Sequence, residues 1–281
     1  MALSNFIPTV WSARLSLALD RAQVFTQSGV VNRDYEGEIR AFGDSVRIGS
    51  ISDPTIGNYT RNGSISVETL DDASQLLTID HAKYFAFEVD DLDSAQMNVA
   101  VMDAAMQRAG RKLTNTADTL VAGKYAEAGS AVASSGSPKT DLATAGKAYE
   151  HLVALGVELD EADVPSEGRW VAVPSWYHGK LLLDDRFVGA GTAATDATVR
   201  NGRIGEAAGF TVLKSNNVSN DGTTYRIMAG TDMAISFAQQ ILKVEAYRPQ
   251  DAFSDAVKGL YVYGVKVARP ECLATLYANA A

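Results

Sequence analysis

The side chains that could perform catalysis or bind a metal are few and widely separated along this sequence. The three histidines, His81, His151 and His178, show no H-x-x-x-H or C-x-x-C spacing that would place two ligands on one metal ion. No G-x-S-x-G segment provides an activated serine beside them. His178 follows Trp176 and Tyr177, which favours a partly buried packing residue over a general base. The sequence therefore predicts neither a catalytic centre nor a metal site, and it does not indicate an enzyme.

Glycines and acidic residues form the other groupings with chemical potential. Gly202, Gly205 and Gly209 lack the spacing G-x-G-x-x-G, and no G-K-[ST] follows, so turns explain them better and no nucleotide cofactor is predicted. The acidic groups Asp71-Asp72 and Asp90-Asp91-Leu92-Asp93 could hold Ca²⁺ or act as paired carboxylates. Because acidic side chains satisfy the N–H groups at helix N-termini, we favour capping, with a cation bound between subunits as the alternative.

The composition indicates an acidic protein with an ordinary apolar content. The chain has 281 residues, a formal net charge of −9 and a pI of about 4.9. Phosphate binding needs an excess of Lys and Arg on one face, so contact with nucleic acid is expected to be weak or local. No apolar stretch approaches the roughly 20 residues that cross a bilayer, and no export signal is visible. Cys272 stands alone in an apolar run, which is typical of a small buried side chain.

The elements that must carry these residues begin with a short amphipathic segment. Within residues 4–27 the apolar side chains recur about one helical turn apart: Trp11, Leu15, Ala18, Leu19, Ala22 and Phe25. The segment has no core of its own. Its apolar stripe is therefore expected to cover another lobe of the chain or a neighbouring subunit.

Between Val30 and Asp90 the period becomes two, which indicates strands with one solvent-facing side. Turn residues in the middle of this region predict a long hairpin whose tip has few large apolar side chains. The chain then returns toward the body through Tyr84, Phe85 and Phe87. The predicted strands are Glu38–Arg40, Ser45–Ile51, Ser64–Glu68 and Leu76–Asp80.

Residues 91–122 show the clearest helical pattern in the chain. Apolar side chains step by three or four positions, which places them on one face: Leu92, Ala95, Val99, Met102, Met106, Ala109, Leu113, Ala117 and Leu120. The turn-rich segment 128–138 is predicted to be a loop. After it, Asp141 is expected to cap a second helix that ends at Leu155 and Gly156.

The last third of the chain is predicted to centre on a sheet. Gly168–Val173 reads as a short buried strand that Pro174 stops, followed by a helix that contains Trp176 and Leu182. Residues 189–203 are rich in Gly, Ala and Thr and are predicted to be a mobile loop. The whole chain is predicted to be α+β, with further strands at Phe210–Leu213, Tyr225–Met228, Ala234–Phe237 and Gly259–Val267.

The order of these features resembles the major capsid proteins of tailed bacteriophages, which share the Hong Kong 97-type fold. The resemblance covers nearly the full chain, and the order of the blocks carries it because no single motif is diagnostic. The early blocks are Asn5–Pro8 with Trp11–Ala13, Val31–Ile39, Gly43–Ile48, Leu76–Asp80 with Lys83–Phe85, and Val89–Asp91. The later blocks are Trp170–Pro174, Gly209–Val212 with Ser215-Asn216, and Ala234–Ala238 with Gln240-Ile241.

This resemblance implies a division of the chain into four parts. Residues 1–28 would form an N-terminal arm, and residues 29–90 an extended loop, which is a long β-hairpin with its base strands. Residues 91–160 would form a peripheral domain with a long spine helix over residues 91–122. Residues 161–281 would form a mainly axial domain, centred on a sheet, with some strands returning to the peripheral domain.

The resemblance also implies a function. It implies a non-enzymatic subunit that assembles as pentamers and hexamers into an icosahedral shell around DNA, inside the host bacterium's cytoplasm. The expected partners are copies of itself, a portal protein at one vertex, packaged DNA in weak contact and, because the chain starts at the arm, a separate scaffolding protein. Crosslinked members of the family use a lysine on the extended loop; the first lysine here is Lys83, at the hairpin base, so a non-covalent shell is expected. The alternatives are a tail or decoration subunit or, further off, an α+β hydrolase.

Eight side chains of the arm and the hairpin are the candidates for contacts between subunits: Phe6, Trp11, Arg14, Arg33, Arg40, Arg47, Tyr59 and Arg61. The arginines suit either solvated faces or directional ion pairs with a neighbour's carboxylates. Deleting residues 1–28 is expected to leave a soluble monomer that no longer assembles.

Overall fold

The described part of the chain consists of three sheets and the helices packed on them. The structure is a computed structural model, and it describes residues 23–36, 43–51, 56, 58, 61, 72–90, 100–143, 146–184, 205–249 and 254–280. The helices are α1 (Ala100–Ala122), α2 (Lys147–Glu161) and α3 (Ser175–Leu182). Short 3-10 helices span Gly123–Glu127, Asp141–Ala143 and Pro270–Cys272. The strands are β1 (Ser45–Ile51), β2 (Asp72–Thr78), β3 (His81–Asp90), β4 (Ser130–Val132), β5 (Trp170–Val173), β6 (Glu206–Ala207), β7 (Phe210–Lys214), β8 (Thr224–Gly230), β9 (Ile235–Tyr247), β10 (Ser254–Val267) and β11 (Leu273–Asn279). This mixture confirms the predicted α+β class.

The largest sheet has six strands in the order β4-β11-β8-β5-β7-β6. Its central strand β5 pairs in parallel with β7 and antiparallel with β8, and all four of its side chains are buried. A continuous apolar run is what a strand covered on both faces requires. Leucines of α2 and Tyr177 of α3 belong to the same core as this strand, and the Tyr177 hydroxyl donates to the Ala148 carbonyl at 2.7 Å, which ties the two helices together.

The turn predicted at Gly209 is confirmed. Ala208 and Gly209, with φ of 52° and 81°, form the two-residue connection between β6 and β7. Positive φ at both central positions is the type I′ geometry that matches the twist of a tight hairpin. The glycine therefore serves the backbone turn.

The second sheet is antiparallel, with the order β3-β10-β9, and α1 packs against one of its faces. The pairing of β10 with β9 shifts register at Leu260/Tyr261, where β9 contains one additional residue, Leu242, opposite that step. This shift is a β-bulge. The predicted apolar stripe of α1 is confirmed at Met106, Leu113 and Ala117, which are buried, and the helix ends at Ala122 as predicted.

The base of the predicted hairpin is present as an antiparallel pair, with Ser45 opposite Thr78 and Ile51 opposite Asp72. Several other predictions lie outside the described residues. They are the strands Glu38–Arg40 and Ser64–Glu68, most of the hairpin tip, residues 91–99 of the predicted helix, and the predicted loop 189–203.

The prediction of a helix from Asp141 to Gly156 was wrong at both ends. The helix begins at Lys147 after Gly146, and it continues to Glu161 because Leu159 extends the buried row of Leu152 and Leu155. Asp141 lies in a 3-10 helix instead, where its Oδ1 is 2.7 Å from His151 Nε2. That contact lowers the pKa of the Asp141 carboxyl.

The last strand and two acidic positions also differ from the predictions. β11 was missed, because its first four side chains are buried on both faces and so leave no alternating pattern; the predicted loop 128–138 likewise contains β4. The buried state predicted for Cys272 is confirmed. The capping prediction was wrong for Asp72, which begins β2, and for Asp90, which ends β3. Asp71, Asp91 and Asp93 lie outside the described residues.

Candidate inter-subunit surfaces

The structure describes three of the eight predicted contact residues. Arg47 on β1 and Arg61 are exposed, whereas the half-buried Arg33 bonds within its own chain. The others lie outside the described residues: Phe6, Trp11, Arg14, Arg40 and Tyr59. The described residues beside these segments are residues 23–36, which we call the root of the arm, and the base of the hairpin, which is β1 with β2 and the residues next to them.

The root of the arm is part of the main core. Phe25, Val30 and Val31 are at most 2% exposed, in one cluster with α1 and the large sheet. Next to them the backbone pairs with β9, because Asn32 N–H donates to the Ile235 carbonyl at 2.8 Å and Phe237 N–H donates to the Asn32 carbonyl at 2.9 Å. Phe25 was predicted to lie on a stripe that covers another lobe of the chain or a neighbour, and for this residue the first alternative is confirmed, because it packs in the main core of its own chain.

A buried carboxylate of α1 fixes this root. Asp118 is fully buried, and its Oδ1 accepts hydrogen bonds from the Thr26 amide (3.1 Å) and the Thr26 hydroxyl (2.9 Å). Its Oδ2 accepts a bond from the Val24 amide at 3.1 Å. Burial raises the pKa of Asp118, and these donors act in the opposite direction because they stabilise the ionised form. One helix residue thus holds two backbone amides and one hydroxyl of the arm root.

A second polar network continues from the arm root to β9 and β10. Arg33 forms a two-bond contact with the Glu36 carboxylate (2.7 and 3.2 Å), and a further nitrogen donates to Gln23 Oε1 at 3.1 Å. Gln23 in turn donates to Gln239 Oε1, which also accepts a bond from the Tyr261 hydroxyl at 2.6 Å. Burial raises the pKa of Tyr261 far above its usual value, so its hydroxyl stays protonated and remains a donor. The arm root is therefore held by hydrogen bonds to α1, β9 and β10.

The hairpin base covers one end of the outer face of the three-stranded sheet, the face turned away from α1. Ile48, Leu77 and Ile79 pack on Ala238 and Val262, and all five side chains are buried. The backbone closes this contact, since Gly43 N–H donates to the Ile79 carbonyl and Ile79 N–H to the Asp44 carbonyl, each at 2.9 Å. Gln75 adds a bond from its Nε2 to the Ala268 carbonyl at 3.0 Å.

A glycine permits this close approach. A Cβ on Gly264 of β10 would lie 2.4 Å from the Thr78 carbonyl oxygen and 2.9 Å from Ile79 Cδ1. Backbone atoms cannot yield as a flexible side chain can, so the hairpin base rests directly on the β10 main chain only because residue 264 has no side chain.

Among the described residues, nothing packs over the large side chains at the other end of the same face. Tyr84 of β3 and Leu260 of β10 stand opposite each other and are 80% and 38% exposed. Leu260 lies two residues before Val262, so both point to the same side of the sheet, yet only Val262 is covered. Tyr247 on β9 is also exposed, and Lys258 links it to Glu245 through a 3.1 Å ion pair and a 5.0 Å contact with the tyrosine ring. We call Tyr84, Tyr247, Lys258 and Leu260 the outer patch.

Sequence reasoning did not select the outer patch. Tyr84 was predicted only to lie in the segment that leads back from the hairpin, and Leu260 only to lie in a strand. A signal existed in the period-two pattern of β3, where Ala82, Tyr84 and Ala86 alternate with the inward side chains Phe85 and Phe87. The pairing of Tyr84 with Leu260 was not visible, because the two residues are far apart in the chain.

The described residues do not assemble a recognisable chemical centre. Among them, no three His, Cys, Asp or Glu side chains lie together as metal ligands. The prediction for His178 is confirmed, since it is buried and packed; burial and then the nearby Lys214 lower its pKa. His81 stacks on Tyr263 with ring centroids 5.5 Å apart. In the same ranges, no helix is long and apolar enough to span a bilayer.

The two smaller sheets, the helix α1 and the six-stranded sheet together form the Hong Kong 97-type fold, which is confirmed by solved capsid structures. The chain of the capsid structure of Cyanophage P-SCSP1u has a TM-score of 0.68 at 17% identity, over 85% of this chain and 84% of that one. A virus-like particle from Pyrococcus furiosus has a TM-score of 0.60 at 13% identity, over 95% and 97%. At these identities the likeness shows the fold.

Sequence similarity adds the family. A family model described as phage capsid protein matches residues 72–276, and this chain belongs to that family of bacteriophage capsid proteins. A chain of Mycobacterium phage Che8 is 30% identical, with a TM-score of 0.72 over 88% of each chain. No curated protein matches the sequence.

Proposed function

We propose that this protein is the major capsid protein of a tailed phage, assembling without enzymatic activity as pentamers and hexamers into an icosahedral shell around the DNA genome. The family match over residues 72–276 carries this proposal. The exposed outer patch supports it, because a sheet face that is covered at one end and bare at the other is incomplete in the monomer.

The proposed mechanism is contact through segments that leave the body. Residues 52–71 join β1 to β2, and we propose that this part of the extended loop lies on the outer patch of a neighbouring subunit, where it continues the cover that Leu77 and Ile79 provide within the chain. Such contacts are heterologous, so they close into rings when the rotation between subunits permits. The arm, starting at its fixed root, would reach a second neighbour.

Replacing Tyr84 and Leu260 by serine should block assembly without unfolding the subunit. Tyr84 is 80% exposed, so its replacement should change the free energy of unfolding by no more than about 0.5 kcal/mol, whereas Leu260 is 38% exposed and its replacement should cost about 1–2 kcal/mol. The contact with a neighbour would lose two large apolar side chains, so we expect few or no shells by negative-stain electron microscopy. The matched control is Met233→Ser, which removes an apolar side chain that is 49% exposed outside the patch. Normal shells from the double variant would contradict the role of the patch.

Deleting residues 2–22 should separate assembly from folding. The deletion stops before Gln23, so the buried Phe25 and the bonds to Asp118 remain, and urea unfolding should match the full chain. We expect no shells from this variant. Deletion through residue 28 is the contrast, because losing the Phe25 side chain alone costs about 3–5 kcal/mol. The test of the arm must therefore end at residue 22, and shells formed without residues 2–22 would remove the arm from the mechanism.

Electron microscopy of the purified protein tests the function as a whole. A major capsid protein gives closed shells or their pentamers and hexamers, whereas a tail subunit gives tubes, a decoration subunit gives only small oligomers, and a hydrolase gives none of these.

We further propose the division into arm (1–28), extended loop (29–90), peripheral domain (91–160) and axial domain (161–281). The proposed partners are copies of the chain, a scaffolding protein and a portal protein, with assembly in the host cytoplasm.

A further inference from the structure

The outward face of α1 carries a row of positive charge. Arg108, Arg111 and Lys112 are exposed and lie three or four residues apart, so they are neighbours on one side of the helix. The exposed Asn115 and Thr119 continue the same face toward the end of the helix. The opposite face, with Met106, Leu113 and Ala117, is buried, so the row cannot turn inward.

The row leads into a groove between α1, β3 and the 3-10 helix after α1. Lys83 and His81 line one side of this groove, and Lys124 lines the other. Thr116, Leu120 and Tyr263 also line the groove, so it combines polar, aliphatic and aromatic side chains, and Glu127 contributes one carboxylate. We call the row and this groove together the basic face.

The charge of the basic face is largely uncompensated. In the groove, Lys124 pairs with the lining residue Glu127 at 2.5 Å, and His81 lies 3.4 Å from the Asp80 carboxylate. No carboxylate among the described side chains pairs with Lys83, Arg108, Arg111 or Lys112, so the excess positive charge lies mainly in the row on α1. The chain as a whole carries a formal charge of −9, so a surface with five Lys and Arg side chains is a strong local departure. Unpaired like charges held close together repel one another, and a polyanion relieves that repulsion.

The composition of the basic face favours a phosphate backbone over an acidic protein segment. Protein interfaces depend on large apolar or aromatic anchors at their centre. None of the described side chains of α1 is an exposed large apolar residue. Phosphate contacts instead use Arg, Lys, Asn and Thr side chains, which are the residues on this face. From Arg108 to Lys124 the row is about 24 Å long, roughly the length of seven base pairs.

We infer that the basic face binds the phosphate backbone of double-stranded DNA without sequence specificity, and that it faces the packaged genome in the shell. The second part of this inference rests on the proposed capsid function, whereas the binding itself does not. Affinity should be low, because the acidic remainder of the chain repels the same polyanion.

The binding can be measured on the full unassembled chain by fluorescence anisotropy with a labelled duplex of mixed sequence. The test variant is Arg108→Gln, Arg111→Gln, Lys112→Gln. If these residues contact three phosphates, the slope of log affinity against log salt should fall by about 2–3, with an affinity loss of at least about tenfold near 50 mM salt. The control is Lys139→Gln, Lys214→Gln, Arg269→Gln, which removes the same charge elsewhere and should retain most of the binding.

Three outcomes would overturn the inference: no binding by the unaltered chain, equal losses in both variants, or tighter binding to polyglutamate than to DNA, which would indicate an acidic protein partner. Electron microscopy of the test variant separates this inference from the proposed function. Normal shells with lost DNA binding support both, whereas loss of shells with an intact fold by circular dichroism would make the face a contact between subunits.

Discussion

Replacing Asp118 by alanine is expected to lower the free energy of unfolding by about 3 kcal/mol, because it leaves three donors of the arm root without an acceptor. These donors are the Val24 amide, the Thr26 amide and the Thr26 hydroxyl, and Thr26 is fully buried. A buried donor that loses its partner costs about 1–3 kcal/mol, while removing the buried charge offsets part of the sum. Urea unfolding measures this change as a lower midpoint.

Two milder variants make the explanation specific. In Asp118→Asn the oxygen can still serve Thr26, but the amide nitrogen would face the Val24 N–H, so one bond is lost, at a cost of about 1 kcal/mol. Thr26→Val removes only the hydroxyl bond and should fall in the same range. Stability within error of the unaltered chain for Asp118→Ala would show that the arm root is held by Phe25, Val30 and Val31 alone.

The same carboxylate has a defined effect on the pH dependence of stability. Because burial raises the folded-state pKa of Asp118, the folded state binds its proton more tightly than the unfolded state does. The contribution of this group to stability is therefore full below the unfolded-state pKa and is lost as pH rises through the raised value. Asp118→Asn should remove that component from a stability profile measured across the acidic range.

Replacing Gly264 by alanine is expected to displace the hairpin base and to prevent assembly. The new methyl group would lie 2.4 Å from the Thr78 carbonyl oxygen, so the backbone of the hairpin or of β10 must move. Overpacking of this kind costs about 1–3 kcal/mol, with higher values where main chain is involved. Because Leu77 and Ile79 would lift from Val262, the extended loop would leave in a different direction, and shells should be absent by electron microscopy even where the subunit remains folded.

Gly179→Ala is the matched control for this substitution. Gly179 lies inside α3, and no atom is within 4 Å of the position of a new Cβ. Alanine in a helix interior should stabilise the protein by about 0.5–1 kcal/mol relative to glycine. Shells of normal size from Gly264→Ala, with an unfolding midpoint equal to that of the unaltered chain, would show that the hairpin base does not depend on close contact with β10.

Elements with a clear repeating pattern were predictable from the sequence. β1 was predicted at its observed bounds because its exposed and buried positions alternate. β5 was predicted because Pro174 ends a compact apolar run, although the observed strand begins at Trp170 and not at Gly168. The strand β11 was not predictable in this way. It lies within the six-stranded sheet with both faces covered, so its sequence around Cys272 resembles any buried segment.

The contacts that define the candidate surfaces could not be predicted from the sequence for a different reason. Thr26 and Asp118 are 92 positions apart, and neither residue alone differs from a common cap or a surface acid. Tyr84 becomes part of an uncovered face only once β3 is paired with β10. Local patterns predict strands and helices, whereas such surfaces depend on which distant segments meet.

The additional residue Leu242 in β9 reverses the alternation of that strand. Before it, Gln239 and Ile241 share the inward side with Tyr261; after it, Val244 takes that side, and Glu245 and Tyr247 turn outward to meet Lys258. A strand of uninterrupted pairing would send those two side chains toward α1. The presence of Tyr247 in the outer patch, and of Glu245 beside Lys258, therefore depends on this single β-bulge in the pairing of β9 with β10. A relative that lacks this one residue but is otherwise almost identical in sequence would expose different side chains on this face of the sheet.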